Sequence, residues 1–275
     1  SFPTRRSSDL GAGVATAFSN LLSCLYFLIM IRRGQRLDST LRFAPRRHMA
    51  ADAVRSGIAS EILTTGLPAC LMTLCENISY AVLDSLMMSA GMAYQAGVGV
   101  AKKINMLAHC MTRGMSQGVL PLIAYDFAAK QYRRMKKAIR YSALISVGLS
   151  AACMCICLAF ADGLTGLFIP HAGLSLTMGA RFLRILCLGC PFSAFAYTVI
   201  SFFEAVEENA KSLLLAILRK GILDIPLMFL IHRMAGGAGI VWATPIADIA
   251  CCITSALLFL RYLRRMEKAG RPAIS

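Results

Sequence analysis

Charge is scarce in this sequence. Only 16% of its 275 residues are Asp, Glu, Lys or Arg, while 57% are hydrophobic and the mean hydropathy is +0.63. A soluble domain of that composition would expose large apolar patches and aggregate, which excludes water as the solvent for much of the surface. The alternation over about 10 residues that marks a membrane-crossing strand is also missing. No two histidines have zinc-ligand spacing. The eleven cysteines include one C-x-x-C, Cys187 and Cys190, but no second pair to complete a metal site. Most of the others lie in apolar runs, where a free thiol behaves as a small buried hydrophobe. Gly236–Gly239 reads GGAG without a preceding strand or a phosphate-binding lysine, so it is a turn and not a nucleotide loop.

What is present is a series of apolar runs of about 20 residues, the length a helix needs to cross a bilayer. Seven occur, at Leu10–Ile31, Glu61–Met88, Ile104–Tyr125, Ala138–Phe160, Leu176–Phe203, Ser212–Ile231 and Gly239–Leu260. Their Leu, Ile, Ala, Met and Gly content suits helices. The expected fold class is all-α, a polytopic membrane helix bundle.

The net charge of +15 reports topology and not a nucleic-acid partner. Seven arginines fall between Arg32 and Arg55, six Lys or Arg between Lys130 and Arg140, and five between Arg261 and Arg271. The loops expected at Ser89–Gly97 and Ala161–Ser175 have none, and His232–Ala238 has only Arg233. Basic loops alternate with neutral ones as the positive-inside rule requires, and they attract anionic lipid in passing. This places the C-terminus in the cytoplasm of a multi-pass protein of the inner membrane. Lys102 and Lys103, at an outer helix end, are a mild violation.

The organisation expected is one helix, a basic connection and six helices. Residues 1–10, SFPTRRSSDL, lack an initiating Met and resemble a translated sequencing-adapter remnant. Residues 11–31 form the first helix, and 32–60 an Arg-rich cytoplasmic linker. Six spans occupy 61–262, and 263–275 make a cytoplasmic tail. Neither low-complexity sequence nor a strong internal repeat is evident.

Ionisable residues at mid-membrane depth cost about 2.5–3.5 kcal/mol each to insert, and usually mark a pathway or a paired site. Glu76, Arg113, Asp224 and Asp248 fall there. Asn105, His109, Arg113 and Gln117 recur every four residues, and Ser116 extends them, so one helical face is polar. That face must meet partner helices or a wet cavity, and the cavity is favoured. Gly114 and Gly118 form a G-x-x-x-G that would let a neighbouring helix approach closely. Glu76, with Asn77 and Tyr80 nearby, could exchange a proton or bind sodium. The alternatives for Arg113 are an ion pair with Asp224 or Asp248, or a direct role in the cavity. Asp224 lies two residues before Pro226 and Asp248 three after Pro245, so an acid and a proline-induced kink recur in two successive helices. Structural partners for either acid are Arg219 or Arg113. Asp84 is read as interfacial, and Glu204, Glu207 and Glu208 as solvated.

Several separated motifs resemble the multidrug and toxic compound extrusion (MATE) transporters. Their usual pattern S-Q-G-x-Q-P-x-x-G-Y-N-x-G-A is matched here at Ser116, Gln117, Gly118, Pro121, Tyr125 and Ala129. It is broken at Leu120, Ala124, Asp126 and Ala128. GLPACLMTLCE resembles the start of the family's seventh helix, with Glu76 where some cation-driven members keep a glutamate. SLLLAILRKGILDIPL and GIVWATPIADIA are similar to its eleventh and twelfth helices, Arg219, Pro245 and Asp248 included. The resemblance covers nearly everything after Leu10. It implies the sixth helix plus the C-terminal lobe of a twelve-helix, two-lobe antiporter, and five further helices upstream that sequencing the DNA before Ser1 would reveal. It also implies export of small amphipathic or cationic compounds against protons or sodium by alternating access. The partners implied are those substrates, membrane lipid and the other lobe; no cofactor, metal or enzymatic reaction is implied, unless sodium binds at Glu76. Sodium-coupled members tend to add an acid on the tenth helix, and Pro191–Ser201 has none, so the ion stays open. A lipid-linked oligosaccharide flippase and a seven-helix receptor are the competing readings. The last helix, however, has no lysine for retinal.

Overall fold

The computed structural model describes residues 3–36, 57–169 and 173–268, so most of the expected linker and the last seven residues lie outside the described residues. The chain divides into two units, Ser1–Ala59 and Ser60–Ser275.

In the first unit a single helix, α1, runs Pro3–Arg36, with proline where its missing N–H costs nothing. Its apolar stretch, Gly13–Arg33, is buried nowhere. A helix apolar on all sides belongs in lipid or against other membrane helices.

The second unit is a helical bundle. Its elements are α2 (Ile58–Ala90), α3 (Met92–Ala128), α4 (Tyr132–Ala159), α5 (Ala161–Gly166), α6 (Leu174–Cys187) and α7 (Cys190–Ala205). They are followed by α8 (Asn209–Ile217), a π-helical turn (Leu218–Leu223), α9 (Asp224–Ala235), a 3₁₀ segment (Gly237–Trp242) and α10 (Ala243–Lys268). Among the described residues three stretches are long and apolar enough to cross a membrane alone: Gly13–Arg33, Tyr132–Ala159 and Gly237–Met266. The pair α6–α7 makes a fourth. The other three expected spans are also helical, in α2, in α3 and in α8–α9. Their Glu76 and Asp84, Lys102, Lys103 and Arg113, and Arg219, Lys220 and Asp224 make them less apolar.

Four expectations about helix boundaries are corrected. Ala161–Ser175, expected as a loop, begins with the short helix α5 and ends inside α6. Ser89–Gly97 is not a loop: α2 and α3 meet at Gly91 alone, whose φ of +126° suits glycine and few other residues. Leu176–Phe203 is not one helix, because α6 and α7 are bent by 44° at Leu188–Gly189, just before Pro191 enters the first turn of α7. The expected kinks near Pro226 and Pro245 take other forms. Pro226 sits in the first turn of α9, after the π turn, and Pro245 in the first turn of α10, where a proline disrupts little.

Helix α3 packs on α4, α6 and α7, and α7 also packs on α4 and α10. Small residues permit this. A Cβ on Gly97 of α3 would lie 2.9 Å from the Gly179 backbone nitrogen in α6. Gly97→Val should therefore force α3 and α6 apart and destabilise the bundle by about 1–3 kcal/mol. A melting temperature in detergent equal to wild type would refute that packing. On α4, Ser142, Ser146 and Ser150 form a buried stripe of the same kind.

Two apolar cores result. One gathers Leu83, Met87, Val98, Phe182, Met228 and Val241; the other gathers Met72, Ile123, Ile200, Phe202, Leu215 and Tyr262. In α2, α3 and α7, and on passing from α8 to α9, the chain goes from one core to the other. Each crosses a polar layer on the way, and that layer holds the site.

Candidate functional site

Glu76, His109, Arg113, Arg219, Lys220, Asp224 and Asp248 lie between the two cores, and Asn105 lies beside the first of them, against Cys187 and Cys190. The three acids face three cations. Arg113 Nη2 donates to Glu76 Oε2 at 2.5 Å and to the Tyr197 hydroxyl at 3.2 Å. Arg219 Nε donates to Asp248 Oδ1 at 2.7 Å, and Lys220 Nζ to Asp224 Oδ2 at 3.0 Å. Asp224 also accepts from Ser79 at 2.6 Å and from Thr244 at 3.2 Å. In each pair an opposite charge offsets the burial that an isolated ion could not bear.

Aromatic rings tie the pairs together. The Arg219 guanidinium lies 4.5 Å and that of Arg113 5.3 Å from the centre of the Tyr197 ring. Tyr80 stands similarly between Lys220 and Lys102, at 5.3 and 5.2 Å. Lys102 holds Asp84 at 2.6 Å, which explains a cation at that helix end. Such contacts strengthen as water is withdrawn.

The π turn has a role in this arrangement. Arg219 and Lys220 are consecutive, yet both side chains are about 2% exposed. Both lie in the π turn, which joins α8 to α9 at the height of the layer. Among buried atoms, Arg219 Nη1 and Nη2 and Asp248 Oδ2 have no hydrogen-bond partner in the protein.

The expected polar stripe on α3 is brought together, but against a helix. Asn105 accepts from Cys190 at 3.1 Å and lies 3.6 Å from Cys187, His109 Nδ1 lies 3.4 Å from the Ser193 hydroxyl, and all of these partners flank or belong to α7. Only Arg113 is half-buried, while Gln117 is exposed and reaches Glu204 at 3.5 Å. The stripe is thus largely helix-to-helix packing, and Glu204 is engaged where a solvated carboxylate was expected. The expected partners of Arg113 are corrected too: it binds Glu76, whereas Asp248 takes Arg219 and Asp224 takes Lys220. Gly114 and Gly118 have open space beside them, so they seat no helix of this bundle. Gly114–Gly118 also spells G-x-S-x-G, but it lies inside α3 with Ser116 buried and 3.5 Å from Thr198. A nucleophile elbow needs a strand-to-helix turn, so this is not one.

Tyr197, Lys220, Ser79 and Thr244 are site residues that the sequence reading missed. Lys220 was legible, since it stands four residues before Asp224 on one helix. Nothing local marked Tyr197, a phenol in an apolar run. As for a metal, no group of three or more His, Cys, Asp or Glu that could hold one occurs among the described residues. At Glu76, Oε2 accepts from the Arg113 guanidinium, and the neighbouring Asn77 donates its amide nitrogen to the Thr73 carbonyl at 2.9 Å.

The bundle and its buried charges define a helical membrane protein with ion pairs at mid-depth. The MatE family profile matches residues 68–230, and the chain belongs to that family. It is 26% identical over 264 residues to the multidrug export protein MepA of Staphylococcus saprophyticus, covering 94% of this chain and 56% of that protein. MepA of Staphylococcus aureus is 25% identical over 252 residues, covering 90% and 53%. A crystal structure of a MATE protein in the straight conformation superposes with a TM-score of 0.78 at 23% identity, over 94% of this chain and 57% of that one. The chain spans about half the length of the curated relatives it matches.

Proposed function

We propose that this chain provides one lobe of a secondary antiporter that exports small amphipathic or cationic compounds, by alternating access between two lobes. The observation that carries this reading is the layer of matched charges at mid-depth. Ion pairs placed there are costly to build and serve a protein that must rearrange charge inside a membrane. The relatives' description as multidrug export proteins supports the class of cargo.

The coupling ion in this reading is the proton. Protonation of Glu76 would release Arg113, and the freed guanidinium would fall back on Tyr197. Sodium would have to share the Glu76 carboxylate with a cation already in bonding contact. The distribution of Arg and Lys supports a cytoplasmic C-terminus, and the bacterial relatives support placement in a bacterial inner membrane. The rest of such a transporter completes the cavity, and no nucleic acid takes part.

Everted vesicles carrying the full-length protein test this. An imposed pH gradient should drive uptake of a fluorescent cationic amphiphile, and a protonophore should abolish it. Uptake driven by a sodium gradient alone would reject the proton, and uptake no greater than in empty vesicles would reject export altogether.

A further inference from the structure

We infer that the groove between α4, α7 and α10 is a binding site for an anionic phospholipid. The groove has a volume of about 1030 Å³ and graded walls. Arg133, Lys136, Lys137 and Arg140 line its mouth. Leu144, Val147 and Gly148 continue the same face of α4 into the apolar part, opposite Phe195 and Val199 of α7 and Phe259 and Leu263 of α10. Among the described residues no acid lines it.

A general topology signal needs basic residues near a helix end, but it does not need them on one face. Here residues 133, 136, 137 and 140 recur at the three- and four-residue spacing of one helical side. Arg134, between them, points elsewhere and pairs with Asp126 at 3.3 Å. The depth also fits a lipid. From Arg140 to Gly148 the helix rises about 12 Å, close to one leaflet of a hydrocarbon core about 30 Å thick. A headgroup phosphate at Arg140 and Lys137 would therefore leave an acyl chain beside Leu144 and Gly148. Leu144 is 71% exposed and Gly148 has open space beside it, so the groove opens sideways, as lipid entry requires. A soluble anion would gain nothing from these walls, and a neutral lipid nothing from the mouth. The inference rests on the helices spanning a membrane and is independent of transport.

The full chain, purified in neutral detergent, would be given equal amounts of phosphatidylglycerol and phosphatidylcholine with the same acyl chains. Retained lipid is read by native mass spectrometry. Wild type should retain mainly phosphatidylglycerol. Lys137→Gln with Arg140→Gln should lower its retention about thirtyfold, without changing phosphatidylcholine. Gly148→Leu, which leaves every charge and whose Cβ meets no neighbour, should lower retention of both lipids by filling the acyl part. Unchanged phosphatidylglycerol in either variant overturns the proposal, and so does full displacement by soluble glycerol phosphate, which would make the site one for a free anion.

Discussion

Asp248→Ala is expected to cost the fold about 3–5 kcal/mol, the usual result of stripping one partner from a buried ion pair. Arg219 has a side chain only 2% exposed, and Asp248 is the acid it bonds. Its stacking on Tyr197 would offset part of the loss, but cannot replace a counter-charge. The reading is a drop in melting temperature and in folded yield from detergent. The double variant Arg219→Met with Asp248→Leu should recover most of that loss, because removing both charges removes their desolvation as well. A single variant as stable as wild type would show that Arg219 finds water or another anion, and would overturn the expectation. A double variant no better than the single would show that the pair contributes more than mutual neutralisation.

The second large effect concerns transport. In the full-length protein, Glu76→Gln should insert and fold, since the amide still accepts from Arg113, yet lose proton-driven export by tenfold or more. Arg113→Ala should also insert, and should abolish or reshape export. Arg113→Lys should restore part of it, because both bonds, to Glu76 and to the Tyr197 hydroxyl, come from the one nitrogen Nη2, and an ammonium also carries several donors. Flux is measured in vesicles under a fixed pH gradient, with protein quantity matched. Unchanged flux in Glu76→Gln removes that residue from coupling. Wild-type efflux from Arg113→Ala leaves the pair a structural role only.

Much of this was legible before any coordinates. Seven helices follow from apolar runs of membrane length, and the depth of Glu76, Arg113, Asp224 and Asp248 follows from their position within those runs. MATE membership followed from motifs spread over several helices, and the family match bears it out. Less was legible where neighbours decide. Gly114 and Gly118 have the spacing of a packing motif, but stand open, whereas the close approach occurs at Gly97. The four-residue stripe on α3 was correctly a face, but hydropathy cannot tell a wet cavity from a polar partner helix, and α7 is the partner for Asn105 and His109.

The sequence by itself determined the solvent and the depth of each charge, because both depend on the residues within one helix length. Apart from Lys220 and Asp224, four residues apart, the tertiary structure alone decided which acid meets which base. Pairing Arg113 with Glu76, 37 residues away, or Arg219 with Asp248, 29 away, requires helices from different parts of the chain to meet at one height. Charges within a membrane must be paired, and every acid at that depth was a possible partner until packing placed one within reach.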